Sequence, residues 1–204
     1  MKIICIGRNY AAHAKEMKSE VPSEPVFFLK PETCLVARNR PFFYPDFSQD
    51  IHHEVELVLR INRVGRHIGI PFAHKYYDEI GIGIDFTARD VQAEMKKKGL
   101  PWEKAKAFDG AAPLSDRFLP KTSFADLNDI SFHLEVNGQT VQQGNTRDLL
   151  FSFDQLISYI STFITLKKGD LIFTGTPEGV GPVQKGDRLT AFIGQDALLD
   201  FNVR

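Results

Sequence analysis

The sequence contains little cysteine, with only Cys5 and Cys34 among its 204 residues. Two cysteines that lie far apart in apolar segments supply neither a disulfide framework nor the clustered ligands of a zinc site. We therefore predict two buried, reduced thiols that serve as ordinary core residues.

A bias towards charge of one sign is also absent. The 25 basic and 26 acidic residues leave a formal net charge of -1, so the composition points to no nucleic-acid partner and to no anionic membrane surface. The one short basic run, K-K-K at residues 96–98, is typical of a solvated helix end.

Long hydrophobic runs are missing as well. No apolar segment approaches the ~18 residues of a membrane-spanning helix, and the opening M-K-I-I-C-I is too short for the apolar core of a secretory signal. These absences predict a soluble, cytoplasmic protein. With 43% hydrophobic and 25% charged residues, the chain suits one globular domain over residues 1–204.

Hydrophobic patterning predicts mostly strands. Short apolar runs bounded by turn residues occur at K-I-I-C-I-G, at V-F-F-L-K-P and at I-G-I-G-I-D, and we expect a strand in each. The triplet K-G-D precedes an apolar run twice, at residues 168–170 and 185–187, which we interpret as turns of C-terminal hairpins. With only three helices expected, the chain is predicted to be α+β and mainly β.

Capping signals predict the two longer helices. Thr87 and Asp90 resemble a capping box for a helix that stops at Gly99, and Ser152 with Gln155 forms the same signal for a helix further along. The buried stripe of the latter helix is predicted to contain Leu156, Ile157, Ile160, Phe163 and Ile164.

Three carboxylates are the strongest chemical signal. Glu54 and Glu56 are two apart in H-H-E-V-E-L-V-L, so in a strand they share one face while the apolar residues beside them face the other way. Asp85 ends the alternating strand I-G-I-G-I-D, on the face of Gly81 and Gly83, and two glycines beside an acid predict the close approach of another group. Buried carboxylates need a compensating cation, and hard oxygen ligands favour Mg²⁺, Mn²⁺ or Ca²⁺ over zinc. The alternative for the glutamate pair alone is the solvated face of an antiparallel sheet.

Other polar residues allow both a chemical and a structural interpretation. A short helix with Asn9 as a possible N-cap places His13 and Glu16 at i, i+3, where they form either a base with its orienting carboxylate or a surface pair. Lys30 and Lys106 lie in apolar surroundings and either face an anion or reach solvent. The loop T-G-T-P-E-G-V-G at residues 174–181 either binds a carboxylate through its N–H groups or is an ordinary turn, and it lacks the G-K-[ST] of a phosphate loop.

Taken together, these segments resemble the fumarylacetoacetate hydrolase family, in its short form that includes acylpyruvate hydrolases and oxaloacetate decarboxylases. The resemblance is nearly full length and rests on seven motifs in the expected order: G-R-N-Y-A-A-H at 7–13, F-F-L-K-P at 27–31, H-H-E-V-E-L at 52–57, D-F-T-A-R-D-V-Q at 85–92, K-A-F-D at 106–109, N-G-Q-T-V-Q at 137–142 and G-D-L-I-F-T-G-T-P-E-G-V-G at 169–181.

The resemblance implies a mixed β-sandwich roll, a homodimer and a set of residue roles. Glu54, Glu56 and Asp85 would bind Mg²⁺ or Mn²⁺, with Ca²⁺ also accepted in crystals. His13 and Glu16 would activate water from a mobile lid helix within residues 1–25, and Lys106 would lie beside the substrate. Substrate contacts are expected from Lys30, Arg89, Gln92, Gly175 and Thr176. Longer members carry an extra N-terminal β domain, so this chain is not expected to act on fumarylacetoacetate itself.

The predicted function is metal-dependent cleavage of a C–C bond in a small 2-oxo acid, by acylpyruvate hydrolysis, oxaloacetate decarboxylation or both, through a metal-stabilised pyruvate enolate. The first alternative is an isomerase, tautomerase or decarboxylase of 2-hydroxy-dienedioates in aromatic catabolism. A more remote alternative is a metal-stabilised binding domain without turnover. The set of His13, Glu16 and Lys106 argues against that domain, because a structural metal site needs neither a base nor a neighbouring cation.

Overall fold

A computed structural model of the chain describes residues 1–16 and 20–204. Within these residues, short helices accompany a larger number of strands, which confirms the predicted α+β, mainly β class. The helices are α1 (Ala11–Glu16), α2 (Ile70–Ala73), α3 (Arg89–Lys98), α4 (Glu103–Lys106) and α5 (Phe153–Phe163). Helices α2 and α4 were absent from the three-helix prediction because a single turn is too short to show a helical period.

The largest sheet has six strands. In spatial order they are β2 (Val26–Lys30), β1 (Ile3–Gly7), β12 (Leu171–Phe173), β5 (Val55–Ile61), β6 (Tyr77–Ile84) and β9 (Leu119–Pro120). Strands β1 and β12 are parallel, whereas every other neighbouring pair is antiparallel. The predicted strands at residues 2–7, 26–31 and 80–85 therefore all lie in this sheet.

The described residues also form three smaller sheets. A four-stranded antiparallel sheet contains β11 (Gln139–Asn145), β10 (Ser131–Val136), β14 (Arg188–Ile193) and β15 (Asp196–Asn202). A three-stranded sheet contains β13 (Gly181–Pro182), β4 (Ile51–His53) and β7 (Thr87–Ala88). A parallel pair contains β3 (Leu35–Val36) and β8 (Ala112–Pro113).

Both K-G-D segments are turns, but only the second one opens a hairpin. In each, the aspartate accepts a hydrogen bond from the backbone N–H three residues before it, at 2.7 Å for Asp170 and 2.7 Å for Asp187. Strand β14 then pairs with β15, as predicted. The hairpin prediction for β12 is wrong, because β12 inserts between β1 and β5, and a local turn pattern does not specify distant partners.

The pairing of β5 with β6 brings the acidic residues together. Glu56 lies opposite Gly83, and the Asp85 N–H donates to the Glu54 carbonyl oxygen at 2.8 Å. Side chains two apart share a face, so the three carboxylates project from the same end of one sheet face.

The two glycines of β6 allow close packing on that face. A Cβ atom added at Gly83 would lie 2.6 Å from Phe173 Cε1, and one at Gly81 would lie 2.7 Å from Phe118 Cε1. The sequence predicts a close approach at these positions, and the structure confirms it.

We expect Gly83→Ala to destabilise the protein by about 1–3 kcal/mol, the usual effect of overfilling a packed core. Phe173 is fully buried, so it cannot turn out to solvent to make room for the added methyl group. The free energy of unfolding in urea measures the effect. Gly7→Ala is the control, because its added Cβ would have its nearest neighbour at 3.9 Å. Equal stability of Gly83→Ala and Gly7→Ala would contradict the packing argument.

Helix ends test the capping predictions. Ser152 and Gln155 form the predicted box at the start of α5, and α3 is followed by Gly99 with φ 64°. The box predicted for Thr87 and Asp90 is wrong, because Ala88 is the N-cap of α3 and makes no side-chain cap. The Thr87 hydroxyl instead donates to Glu54 Oε1 at 2.9 Å.

Two smaller predictions about helices are also corrected. Asn9 does not cap α1, because its side chain donates to the carbonyl oxygens of Phe151 and Thr174. Phe163 is 59% exposed and does not belong to the buried stripe of α5, whereas Leu156, Ile157 and Ile160 do. Residues 17–19, at the end of the predicted first helix and within the predicted lid, lie outside the described residues.

Cys5 and Cys34 are free and buried, as predicted. Among the described residues, no helix is long and apolar enough to cross a membrane.

Candidate metal centre

The three acidic side chains form a buried cluster. Glu54, Glu56 and Asp85 each offer a carboxylate oxygen, and these oxygens lie within 4.8 Å of one another. All three residues are at most 5% exposed. Like charges this close in a poorly solvated place repel strongly unless positive charge compensates them.

Protein cations compensate part of this charge. Lys106 Nζ lies 2.8 Å from both Glu54 Oε2 and Asp85 Oδ2, which joins two of the carboxylates. Arg89, the first residue of α3, donates to Glu54 Oε1 at 2.7 Å. Glu54 is therefore held by two cations, while Glu56 has no ion pair among the residues described and accepts only the Gly175 N–H, at 2.7 Å.

The pKa values reflect this unequal compensation. Burial raises the pKa of Glu56 well above the usual glutamate range, and the charges of Asp85 and Glu54 raise it further. Burial acts in the same direction on Glu54, but Lys106 and Arg89 outweigh it and lower the pKa of that carboxyl. Burial lowers the pKa of Lys106, yet Asp85 and Glu54 overcome burial and raise it. The Glu56 side of the cluster thus lacks positive charge.

A hard divalent cation fits this arrangement. Lys30 Nζ lies 2.8 Å from Asp85 Oδ1 but donates its hydrogens to the carbonyl oxygens of Phe86, Lys106 and Ala111. Asp85 Oδ1 is buried and accepts no hydrogen bond within the described chain. A carboxylate oxygen that is paired with an ammonium but accepts no hydrogen bond, beside two further carboxylates, belongs to the kind of donor set that Mg²⁺, Mn²⁺ and Ca²⁺ prefer.

A histidine on α1 faces the cluster. His13 is buried, and its Nδ1 lies 3.3 Å from Glu16 Oε2. The Gly179 N–H donates to the Glu16 carboxylate at 3.1 Å, which holds that carboxylate in place. When Nδ1–H donates to a carboxylate, Nε2 carries the lone pair, so this pairing suits a general base.

The loop after β12 contacts both groups of residues. Gly175 donates to Glu56 and Gly179 donates to Glu16, so one loop joins the acidic cluster to the histidine pair. Gly175 has φ 105°, and a Cβ there would lie 2.6 Å from Asn9 Cβ, so no other residue fits. Thr176 follows, and its Oγ1 accepts a hydrogen bond from Gln142 Nε2 at 2.9 Å.

A cavity of about 50 Å³ lies where these groups meet. The predicted site residues that line it are His13, Glu54, Glu56, Asp85, Arg89, Gln92, Lys106 and Thr176. Three others stand behind this lining, because Glu16 contacts His13, Lys30 contacts Asp85 and Gly175 contacts Glu56.

Sequence reasoning overlooked several lining residues, among them Arg8, Phe28, Lys96 and Trp102. Lys96 is four residues after Gln92 in α3, so helical spacing alone predicts that both side chains lie on the cavity side of the helix. The predicted solvated helix end at residues 96–98 is confirmed, because all three lysines are exposed at the end of α3, but Lys96 also lines the cavity. Arg8 stands within G-R-N-Y, but no pattern in that motif indicates the backbone turn that directs its side chain to the cavity.

Comparison with protein families gives a match over almost the whole chain. Residues 2–203 match the family described as fumarylacetoacetate (FAA) hydrolase, C-terminal.

Individual proteins are similar over comparable lengths. Oxaloacetate tautomerase YcgM of Escherichia coli K12 is 48% identical over 93% of this chain and 86% of its own length. A mitochondrial oxaloacetate decarboxylase of Dictyostelium discoideum is 45% identical over 99% of this chain and 93% of its own. The crystal structure of fumarylpyruvate hydrolase from Pseudomonas aeruginosa with Mn²⁺ and pyruvate aligns with a TM-score of 0.93, at 36% identity, over 100% of this chain and 89% of that one.

Proposed function

The chain belongs to the fumarylacetoacetate hydrolase family of enzymes, and on this premise we propose that it cleaves a C–C bond beside the carbonyl of a small 2-oxo acid, with a divalent metal. The reactions are acylpyruvate hydrolysis, oxaloacetate decarboxylation or both. The observation that carries the proposal is the buried triad of carboxylates, one oxygen of which has no hydrogen bond, beside a histidine with its own carboxylate. A binding domain without turnover does not fit membership of this enzyme family.

The metal ligands in this proposal are Glu54, Glu56 and Asp85. Mg²⁺, Mn²⁺ and Ca²⁺ all suit carboxylate oxygens, and the crystal structure of the related Pseudomonas enzyme contains Mn²⁺. Such an ion supplies Lewis acidity, which draws electrons from a 2-oxo group. Lys106 and Arg89 hold the ligand Glu54 in position, and Lys30 holds Asp85.

His13 acts as the general base in this scheme, and Glu16 orients it. For an acylpyruvate, His13 takes a proton from a water that attacks the distal carbonyl; the bond between that carbonyl carbon and C3 breaks, and the pyruvate fragment leaves as an enolate. For oxaloacetate, CO₂ leaves without a base, and the C3 carbon then takes up a proton. One cavity thus serves both reactions.

The remaining polar residues bind and orient the substrate. Lys106, Arg89, Gln92 and Thr176 line the cavity and offer hydrogen bonds to carboxylate and oxo oxygens. Lys30 and Gly175 act on the substrate indirectly, through Asp85 and Glu56, rather than by the direct substrate contacts that the sequence predicts for them.

A second candidate is tautomerisation of oxaloacetate or of a 2-hydroxy-dienedioate. It is favoured by the 48% identity with an enzyme named oxaloacetate tautomerase and by a base that can move a proton at C3. The tautomerase reaction uses the same ligands and the same His13, but it leaves every C–C bond intact.

We further propose that residues 1–204 form a single catalytic domain, that the protein works in the cytoplasm and that it is a homodimer. The lid role of α1 belongs to this proposal too, and it is supported by the position of His13 beside the cavity.

Pyruvate release tests the two candidates. Purified protein loaded with Mg²⁺ or Mn²⁺ receives acetylpyruvate and oxaloacetate in parallel, each with and without EDTA, while ultraviolet absorbance follows the enol and keto forms of oxaloacetate. We expect pyruvate from at least one substrate and its loss in EDTA. Rapid enol–keto exchange without pyruvate would favour the tautomerase. Pyruvate release that persists in EDTA would contradict the metal centre.

A further inference from the structure

Four basic side chains line the cavity, and two of them have no acidic partner. Arg89 and Lys106 are paired with carboxylates of the triad. Arg8 and Lys96 also line the cavity, but neither forms an ion pair with any described residue. Together with Lys30, the paired residues Arg89 and Lys106 carry three positive charges, which balance the three carboxylates of the triad. The charges of Arg8 and Lys96 are therefore surplus even before a metal is added.

Arg8 is held at the cavity in an unusual backbone conformation. Its φ is 60°, the left-handed region that non-glycine residues seldom adopt. The next residue, Asn9, is fully buried, and its side chain makes three hydrogen bonds to Phe151 and Thr174. Strain of this kind persists where the surroundings enforce it, and it is concentrated at functional sites.

Lys96 lies at the exposed C-terminal end of α3 and also lines the cavity. Its Nζ lies 5.8 Å from the centre of the Trp102 ring, and Trp102 also lines the cavity. Burial lowers the pKa of Lys96, and the charges of Arg89 and Arg8 lower it further. Arg8 and Lys96 are therefore close enough to repel each other, and an anion between them would relieve this repulsion.

We propose that Arg8 and Lys96 bind the second carboxylate of a dicarboxylic substrate and so determine specificity for dianionic 2-oxo acids over monocarboxylic ones. This inference rests on the proposed function, in which the first carboxylate and the 2-oxo group lie at the metal centre. A monocarboxylic acylpyruvate would leave both cations unpaired, whereas the terminal carboxylate of a 2-oxo dicarboxylate would pair with them.

Specificity for one carboxylate or two is tested by substitutions that remove the charge and keep the aliphatic part of the side chain. Arg8→Gln and Lys96→Met are compared with wild type for kcat and KM on oxaloacetate and on acetylpyruvate. We expect KM for oxaloacetate to rise about tenfold in each variant, at the lower end for a charge-assisted hydrogen bond. The KM for acetylpyruvate should stay within about twofold, the usual scatter for a lost surface charge.

Two matched controls are available in the chain. Arg38→Gln alters another arginine with positive φ, at 61°, that is exposed and does not line the cavity. Lys97→Met alters the neighbour of Lys96 in α3, and Lys97 does not line the cavity. Neither control should change KM for either substrate. An equal rise in KM for both substrates, or no rise in KM for oxaloacetate, would overturn the proposal.

A binding measurement separates this proposal from the proposed reaction. Calorimetry on the metal-loaded protein compares 2-oxoglutarate, a dicarboxylate, with 2-oxobutyrate, a monocarboxylate. We expect tighter binding of 2-oxoglutarate by wild type and loss of that preference in Arg8→Gln. If wild type turns over neither oxaloacetate nor acetylpyruvate, the proposed function fails, while calorimetry still decides the role of Arg8 and Lys96. A wild-type protein that binds 2-oxoglutarate no more tightly than 2-oxobutyrate would overturn the role proposed for Arg8 and Lys96.

Discussion

Replacing Glu56 by glutamine abolishes metal-dependent turnover and leaves the metal-free protein at least as stable as wild type. Glutamine keeps the size of the side chain but removes the negative charge that a metal ligand supplies. Lewis-acid catalysis provides several kcal/mol of transition-state stabilisation, so we expect activity to fall about a thousandfold or more.

The stability expected for Glu56→Gln follows from the charges around Glu56. Glu54 and Asp85 repel it, burial disfavours its charged form, and no described cation pairs with it. Glutamine removes this repulsion and still accepts the Gly175 N–H. Substitution of either of the other two ligands should instead destabilise the protein. Glu54 and Asp85 each pair with Lys106, and the loss of either would leave a buried ammonium underpaired.

Mn²⁺ titration by calorimetry and thermal unfolding in EDTA measure the two parts of this prediction. Glu79→Gln is the control, because Glu79 lies on the neighbouring strand and forms a half-exposed pair with Arg60. It should retain Mn²⁺ binding and activity. A Glu56→Gln protein that binds Mn²⁺ like wild type would exclude Glu56 as a ligand.

Replacing His13 by alanine abolishes acylpyruvate hydrolysis but preserves metal binding. A positioned general base contributes typically 10²–10⁴-fold, and we expect a loss of that order in kcat. His13 faces the cavity but does not belong to the carboxylate triad, so Mn²⁺ affinity should remain close to that of wild type.

Two substrates make the His13 prediction sharper. Loss of CO₂ from oxaloacetate requires no base, so His13→Ala should impair decarboxylation much less than hydrolysis. His74→Ala serves as the control, because His74 is exposed on the turn after α2. Normal hydrolysis of acetylpyruvate by His13→Ala would remove the base from the mechanism, and a parallel loss of Mn²⁺ binding would make His13 a ligand.

Local patterns predict the parts of the site that depend on neighbours along the chain. The period of two in a strand brings Glu54 and Glu56 to one face, and the i, i+3 spacing brings His13 to Glu16. Both relations hold in the structure. The glycines of β6 likewise mark the close approach of Phe173 and Phe118.

Relations across the fold are not predictable in this way. Thr87 fits a capping box in sequence, yet its hydroxyl contacts Glu54, because the pairing of β4 with β7 brings those residues together. Lys30 lies in an apolar strand, and nothing near it in sequence indicates that its ammonium is satisfied by three carbonyl oxygens from segments distant in sequence. Arg8 adopts a positive φ beside Asn9, which is anchored to residues distant in sequence, and neither feature shows in the local sequence.

The pairing of β1 with β12 determines when the molecule can fold. Ile3 lies beside Leu171, so β1 leaves the ribosome long before its parallel neighbour β12 is synthesised. Contacts with such large sequence separation slow folding, because a long loop must close before the pairing is formed. The central sheet can therefore be completed only after synthesis of β12. During that interval the apolar strand β1 lacks one of its two partners, which makes nascent chains of this protein candidates for chaperone binding.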